Sequence, residues 1–336
     1  MKNSKKNLFN PYFSHIYVEK EAFDYPNCQA ILSHFINSKI IEINHYKDVF
    51  CRSHQNFYLQ KQSPNLILAV KKENLIYKGA KFCDDFGNEN FYYTSSMMNC
   101  IYNCEYCYLQ GMYPSANIVI FVNLEDIFLE IDKLLTHNSI YLCISYDTDI
   151  LALESILGYG AKWVQFAKQR PNLKIELRTK STGFNLLPDK KPCNNIILAW
   201  TLSPDLLVKN YEDKTPSLLS RLKSAKTAID LGWQVRLCFD PLLYIENWQE
   251  NYQELIKTVF LTLPKDKILD ISIGVFRVSS DYLKVMRKQR PASTILNYPF
   301  TTENRICTYP QELSQNMVYY VYNLISCYIS REKIYI

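Results

Sequence analysis

The sequence predicts an α/β fold: a partial, open parallel β/α barrel of about six strands with a smaller N-terminal α/β extension. Three observations predict it. From about residue 91 onward, short apolar runs rich in Ile, Val and Leu alternate with longer stretches whose apolar positions recur at helical spacing. The alternation keeps one order, strand then helix, which demands crossover connections and hence parallel strands. Residues 1–90 lack that regularity. The chain therefore divides into an extension at 1–90, the partial barrel at 91–305 and a C-terminal helical segment at 306–336.

Phe91 to Thr94 opens the series as a short strand running into a cysteine-bearing loop. Ile118 to Val122 is apolar at every position and predicts a buried strand, after which Asn123 caps the helix LEDIFLEIDKLL. Ile140 to Ser145 is the next strand, followed by a helix through Ile156 to Ala167. Strands are predicted at Leu173 to Leu177 and Ile196 to Leu202. Pro216 then opens the helical stretch PSLLSRLKSAKTAIDLG, and Gly232 ends it. Gln234 to Phe239, a helix around Trp248 to Phe260, and Ile268 to Phe276 complete the pattern. In folds of this kind, ligands and chemistry gather at the carboxyl ends of the strands.

Composition narrows the function classes. The chain has 336 residues, 48% hydrophobic, with a net charge of +5, so neither disorder nor a coiled coil is its main state. A strongly basic binding face is not evident from so small an excess, which neither supports nor excludes DNA. No window approaches the roughly 18 to 20 apolar residues of a membrane span. The start, MKNSKKNLFNPYFSHIY, is broken by Asn10, Pro11 and His15, unlike a secretory leader, so a cytoplasmic location is expected. Eleven cysteines cannot all pair, and in a reducing compartment they are free or hold metal. No GxxxxGK[ST] loop argues for ATP hydrolysis, and all five histidines fall at or before His137 without HExxH spacing.

The densest chemistry lies in CIYNCEYC, where Cys100, Cys104 and Cys107 stand in C-x3-C-x2-C spacing just after the first barrel strand. Three thiolates on one loop can hold three irons of a 4Fe-4S cluster and leave the fourth open for chemistry. A closed zinc site needs a fourth ligand, and a chance arrangement is the bland alternative.

This spacing resembles that of the radical S-adenosylmethionine (AdoMet) superfamily, including an aromatic residue, Tyr106, before the third cysteine. The run YTSSMMNCIYNCEYCYLQ followed by FVNLEDI further resembles the spore photoproduct lyase family of DNA-repair enzymes. Collinear matches continue through LRTKS, LSPDLLVKNYE, TPSLLSRLKSA, DPLLYIENWQENY and VFRVSSDYLK, covering about residues 60 to 310. The resemblance implies a lyase that reverses a methylene-bridged thymine dimer to two thymines. Its implied cofactors are a 4Fe-4S cluster and AdoMet, cleaved to a 5′-deoxyadenosyl radical. Its implied partners are DNA carrying the lesion and an electron donor such as flavodoxin or ferredoxin. By the same resemblance, Cys100, Cys104 and Cys107 hold the cluster, and Lys180 and Thr201 lie near AdoMet. Tyr106 and Tyr108 flank the third ligand, as the family's relay tyrosines do.

One position departs from the family. Many members carry a hydrogen-donating cysteine three residues before an Asp-Ile pair, and in CISYDTDIL that position is Tyr146. The candidate donors are Cys143, Tyr146 and Cys83. A thiol yields hydrogen more readily than a phenol, and Cys143 is favoured because it lies near the carboxyl end of a barrel strand, although regular strand parity turns it away from Tyr146. Arg287, in a run of cations with Lys284, Lys288 and Arg290, and Arg305 are candidate substrate contacts. Two rival readings accompany the lyase: a radical enzyme of the same fold with another substrate, and a non-catalytic iron-sulfur DNA-binding protein.

Overall fold

A computed structural model describes residues 13–79 and 83–336. The larger sheet has eight strands, ordered Ile334–Tyr335, Asp270–Val275, Gln234–Leu242, Ile196–Thr201, Leu173–Thr179, Ile140–Cys143, Phe91–Tyr93 and Tyr77–Lys78. Every neighbouring pair is parallel except the last. Its two outer strands do not pair with each other, so the sheet is open and no closed barrel forms among the described residues. The six interior parallel strands are those the alternation predicts, with one exception.

The exception is Ile118–Phe121. This run forms a strand, but it pairs with Leu66–Ala69 in a second sheet ordered Lys39–Ile43, His15–Glu19, Leu66–Ala69, Ile118–Phe121 and Met97–Met98. An all-apolar run announces burial on both faces and carries no information about its neighbour. Strand pairing therefore crosses residue 90, and the N-terminal segment is itself a parallel β-α arrangement whose sheet is completed from beyond it. The C-terminal segment contains the expected helix, Gln311–Ser326, and then returns Ile334–Tyr335 to the edge of the larger sheet.

Local chemistry follows the sequence with small changes of role. Asn123 occupies the first position before the helix Leu124–Leu135, yet its amide bonds the backbone N–H and C=O of Lys71 at 2.8 and 2.9 Å instead of capping that helix. It thus stitches the two sheets' connections together. The helix Leu218–Asp230 is capped by Ser217, and Gly232 follows it at φ +89°, a left-handed conformation that glycine takes without a Cβ clash.

The larger sheet has two unlike faces. Leu142, Ile144, Ile175, Leu177, Leu198, Trp200 and Leu237 join the helices in one continuous apolar core. The alternate residues of the same strands include Tyr141, Glu176, Arg236 and Asp270, which are buried and bonded to one another. The Arg236 guanidinium donates to Asp270 at 2.8 Å, to Glu176 at 2.6 Å and to the Tyr141 hydroxyl at 2.8 Å. Ala199 stands opposite Arg236 on the intervening strand and leaves room for that reach. No helix of the described residues is long and apolar enough to cross a membrane.

Helix Tyr159–Lys168 begins beside Gly158, which offers no capping side chain. Glu154 supplies the cap from the preceding turn, accepting the N–H groups of Gly160 and Ala161 at 2.7 and 3.0 Å. Burial pushes its carboxyl up from 4.5 to about 7. The folded state therefore binds this proton more tightly than the unfolded chain, and stability falls as pH rises from 4.5 through 7. Chemical denaturation across that range should show a loss of up to about 3 kcal/mol from this group. The slope should flatten in Glu154→Gln, and an unchanged slope would remove Glu154 as its source.

Candidate active site

The carboxyl ends of the parallel strands converge on the cysteine loop, and hydrogen bonds fix that loop from several sides. Asn99 turns the chain at φ +66° and donates to the carbonyls of Ser115 and Asn117 at 2.7 and 2.8 Å. Asn103–Cys104 pairs antiparallel with Glu212–Asp213. Gln110 donates to the carbonyls of Glu105 and Cys107 at 2.6 and 3.0 Å, and the Lys61 ammonium donates to the carbonyl of Cys100.

Cys104 is buried, and Cys100 and Cys107 are half-buried. Burial pushes the Cys100 thiol up to about 12, with the Asp149 carboxylate adding to the shift. Cys104 is likewise raised by burial, against the opposing pull of Lys180. Thiols so placed need cationic partners before they ionise. A single tetrahedral zinc, with bonds of roughly 2.3 Å, would draw its sulfurs to about 3.7 Å of one another. Among the described residues no group of three or more His, Cys, Asp or Glu side chains is arranged to hold a metal ion. Three thiols on one loop are nonetheless a donor set of the kind that an iron-sulfur cluster takes.

Next to the loop lies a buried ion network. Glu212 accepts hydrogen bonds from the Tyr106 hydroxyl, from Ser203 at 3.0 Å and from Arg221. Arg221 is fully buried and also donates to the Thr201 carbonyl at 3.2 Å. Lys180 places its ammonium 3.9 Å from Glu212 and 5.2 Å from the centre of the Tyr106 ring. Burial alone would raise the Glu212 carboxyl, but Lys180 and Arg221 overcome it and hold the group at about 2. Asp149 fixes the strand end that carries Lys180, accepting the Lys180 N–H and the Thr179 hydroxyl, each at 2.7 Å.

On another side, Tyr108 donates to the Tyr146 carbonyl at 2.6 Å. The Tyr146 ring stacks on Tyr93 at 4.5 Å, and its hydroxyl lies 3.6 Å from the Cys83 sulfur. The strand Ile140–Cys143 stops at Cys143, and Ser145 bridges to Ser95. Strand parity therefore does not extend to Tyr146. Cys143 is buried on the polar face of the sheet, where burial and Glu176 push its thiol up to about 12. Cys83, the other candidate thiol, is the one that touches Tyr146.

The two candidate arginines have different settings. Arg287 donates to the carbonyls of Leu296 and Tyr298 at 2.7 and 2.8 Å, so part of its guanidinium clamps a loop. Arg305 is exposed in the two-residue turn of a hairpin between Thr301–Glu303 and Ile306–Thr308, with φ of 48° at Asn304 and 65° at Arg305. A cavity of about 460 Å³ opens beside Asn90, Ile140, Asn172 and Lys174 at the opposite, amino-terminal end of the strands.

The spore photoproduct lyase family model matches residues 9–320. The chain belongs to the spore photoproduct lyase family. It is 24% identical to the spore photoproduct lyase of Bacillus subtilis over 298 residues, covering 85% of this chain and 82% of that protein. Its identity to the Clostridium acetobutylicum spore photoproduct lyase is 25% over 256 residues, 73% of each chain. Among solved structures, a spore photoproduct lyase variant with bound AdoMet and dinucleoside spore photoproduct superposes with a TM-score of 0.83 at 18% identity, covering 97% of this chain and 98% of that one. A spore photoproduct lyase complexed with dinucleoside spore photoproduct gives the same TM-score at 17% identity and the same coverage.

Within this family fold, the structure brings Cys104, Tyr106, Lys180 and Thr201 together through two residues that motif reading missed, Glu212 and Arg221. The signal was present: both lie in the collinear stretches LSPDLLVKNYE and TPSLLSRLKSA. Asp147, buried and accepting from the Ser95 hydroxyl, was missed as well. Replacing Glu212 by Ala leaves Arg221 and Lys180 as buried cations without their shared carboxylate. Stability should fall by about 3–5 kcal/mol, read from urea unfolding, with Glu212→Gln recovering part of the loss. A Glu212→Ala protein as stable as the parent would overturn this account of the network.

Proposed function

We propose that the protein repairs DNA by reversing the spore photoproduct to two thymines, with AdoMet and a 4Fe-4S cluster as cofactors. The observation that carries this reading is the convergence of a three-thiol loop, a buried lysine and a thiol–phenol pair at the carboxyl ends of one parallel sheet. The family's relatives and structural neighbours, named for this lesion and for AdoMet, support it.

Cys100, Cys104 and Cys107 would hold three irons, and the fourth would be open to AdoMet. When bound, the pair supplies hydrogen-atom abstraction from the substrate. The chain's own work is to hold, orient and shield. Lys180 and the backbone of Thr201 lie against the ion network beside Cys104, where they line the approach to the loop. Glu212 fixes the Tyr106 hydroxyl and the Lys180 ammonium, so neither is free to wander. Arg305, exposed on its hairpin turn, is a contact for the nucleic acid, while the lesion must be extruded from the duplex to reach the strand ends.

After bond scission the substrate needs one hydrogen atom. Cys83 is the donor best supported, because its sulfur contacts Tyr146 at the position where many relatives carry a thiol. Tyr146 and Tyr108 are then positioned to return a hydrogen atom to that sulfur, through a contact and a short aromatic path. Cys143 is the alternative donor. A reducing cytoplasm suits this reading, since cluster ligands and a hydrogen-donating thiol must both stay unpaired.

Anaerobic reconstitution should give about four irons and four sulfides per chain. The protein should convert dinucleoside spore photoproduct to two thymines while forming 5′-deoxyadenosine, and Cys104→Ala should abolish AdoMet cleavage. Stoichiometric zinc without cluster absorption, or AdoMet cleavage that leaves the photoproduct intact, would overturn the proposal. Separately, Cys83→Ala should accumulate trapped-radical adducts while Cys143→Ala keeps a clean product profile. The reverse pattern would return the donor role to Cys143.

A further inference from the structure

The cluster loop has a second side, facing away from the strand ends. A narrow cleft there reaches Cys104 and Cys107 and is walled by Phe57, Lys61, Gln110 and Arg290. At its rim, the short helix Phe57–Gln62 leaves Tyr58 and Leu59 exposed at 43% and 64%. The Arg290 guanidinium lies 5.4 Å from the centre of the Tyr58 ring and is held by Gln110 at 2.7 Å and Asn103 at 2.5 Å. Lys214 is exposed, and its ammonium bonds the Lys61 carbonyl at 3.0 Å. Lys61 in turn bonds the Cys100 carbonyl. One carboxylate borders these cations, Asp213, which accepts from Asn103 at 3.1 Å.

We infer that this face, formed by Tyr58, Leu59, Lys214 and Arg290, docks a small acidic one-electron carrier protein that reduces the cluster. The inference rests on the cluster assignment above. Positive charge selects an acidic partner and speeds its approach, while the exposed aromatic and aliphatic pair gives a small dry centre. Encounters of electron carriers are small and transient, so a patch of this size suffices. The apolar centre disfavours the alternative occupant, a nucleic-acid backbone, whose interfaces are polar and far more basic. A carrier docked here would supply one electron to a cluster that Cys100, Cys104 and Cys107 would hold. No bond or proton moves in the step.

The test compares holoenzyme with the double variant Lys214→Glu and Leu59→Asp, using reduced flavodoxin as the probe. Flavodoxin affinity at low salt should weaken about tenfold, and its salt dependence should shrink. The rate of cluster bleaching by subsaturating flavodoxin should fall in proportion, while bleaching by dithionite and affinity for lesion-bearing duplex stay unchanged. Unchanged flavodoxin affinity overturns the proposal. So does a loss confined to duplex binding, which would reassign the face to DNA. A protein that fails to assemble a cluster would lose the dithionite signal too, a failure of the cofactor reading that the binding measurement separates from a failure of docking.

Discussion

The arrangement of the site depends on one buried carboxylate. Glu212 sits where the cysteine loop, the end of the strand bearing Lys180 and the segment after the strand bearing Thr201 meet, and it accepts from Tyr106 and Ser203 and pairs with Lys180. A carboxylate without partners there would cost several kcal/mol. Surrounded by Arg221, Lys180, Tyr106 and Ser203, it becomes the shared counter-ion that sets where each of them stands. The pairing of Glu212–Asp213 with Asn103–Cys104 then carries that constraint directly into the ligand loop. Position is what a radical reaction demands of its protein, because an ill-aimed radical attacks whatever it touches.

The polar face of the larger sheet obeys the same rule. Arg236, Glu176, Asp270 and Tyr141 satisfy one another where an open β/α sheet curves away from its helices. An apolar lining would pack there equally well, but a hydrogen-bonded network admits only one set of rotamers. Arg178 extends the network towards the carboxyl ends, bonding Glu176 at 3.1 Å and approaching Asp240 at 3.6 Å. The floor beneath the site is therefore rigid through charge pairing, not through packing alone.

Much of this was legible in the sequence, and the failures have physical causes. Periodicity located the strands because burial on one face or two writes directly into residue order. It could not assign Ile118–Phe121 to a sheet, because apolar residues at every position name no partner. The three cysteines were legible because they stand within eight residues of one loop. Glu212 and Arg221 were not, since a buried ion pair joins residues nine apart whose individual letters look like any solvated helix. Arg287 shows the converse: a run of cations at helical spacing looks exposed, and only the fold reveals that two carbonyls bond this one.

If the donor is Cys83, as proposed, a loop delivers the thiol that a strand was expected to carry. Parity along Ile140–Cys143 seemed to set Cys143 against Tyr146, but the strand ends before the argument applies. What the reaction requires is a sulfur within reach of the substrate and of a phenol, and the chain segment that delivers it is immaterial. Here Tyr146 presents a phenol, and a thiol meets its hydroxyl from the other side, at Cys83. Tyr93 stacks on Tyr146 and Tyr77 stacks on Tyr93 at 4.9 Å, so the phenol is wedged among rings that fix its plane. On the reading proposed above, thiol and phenol exchange places while their proximity is kept, and proximity is the quantity on which hydrogen transfer depends.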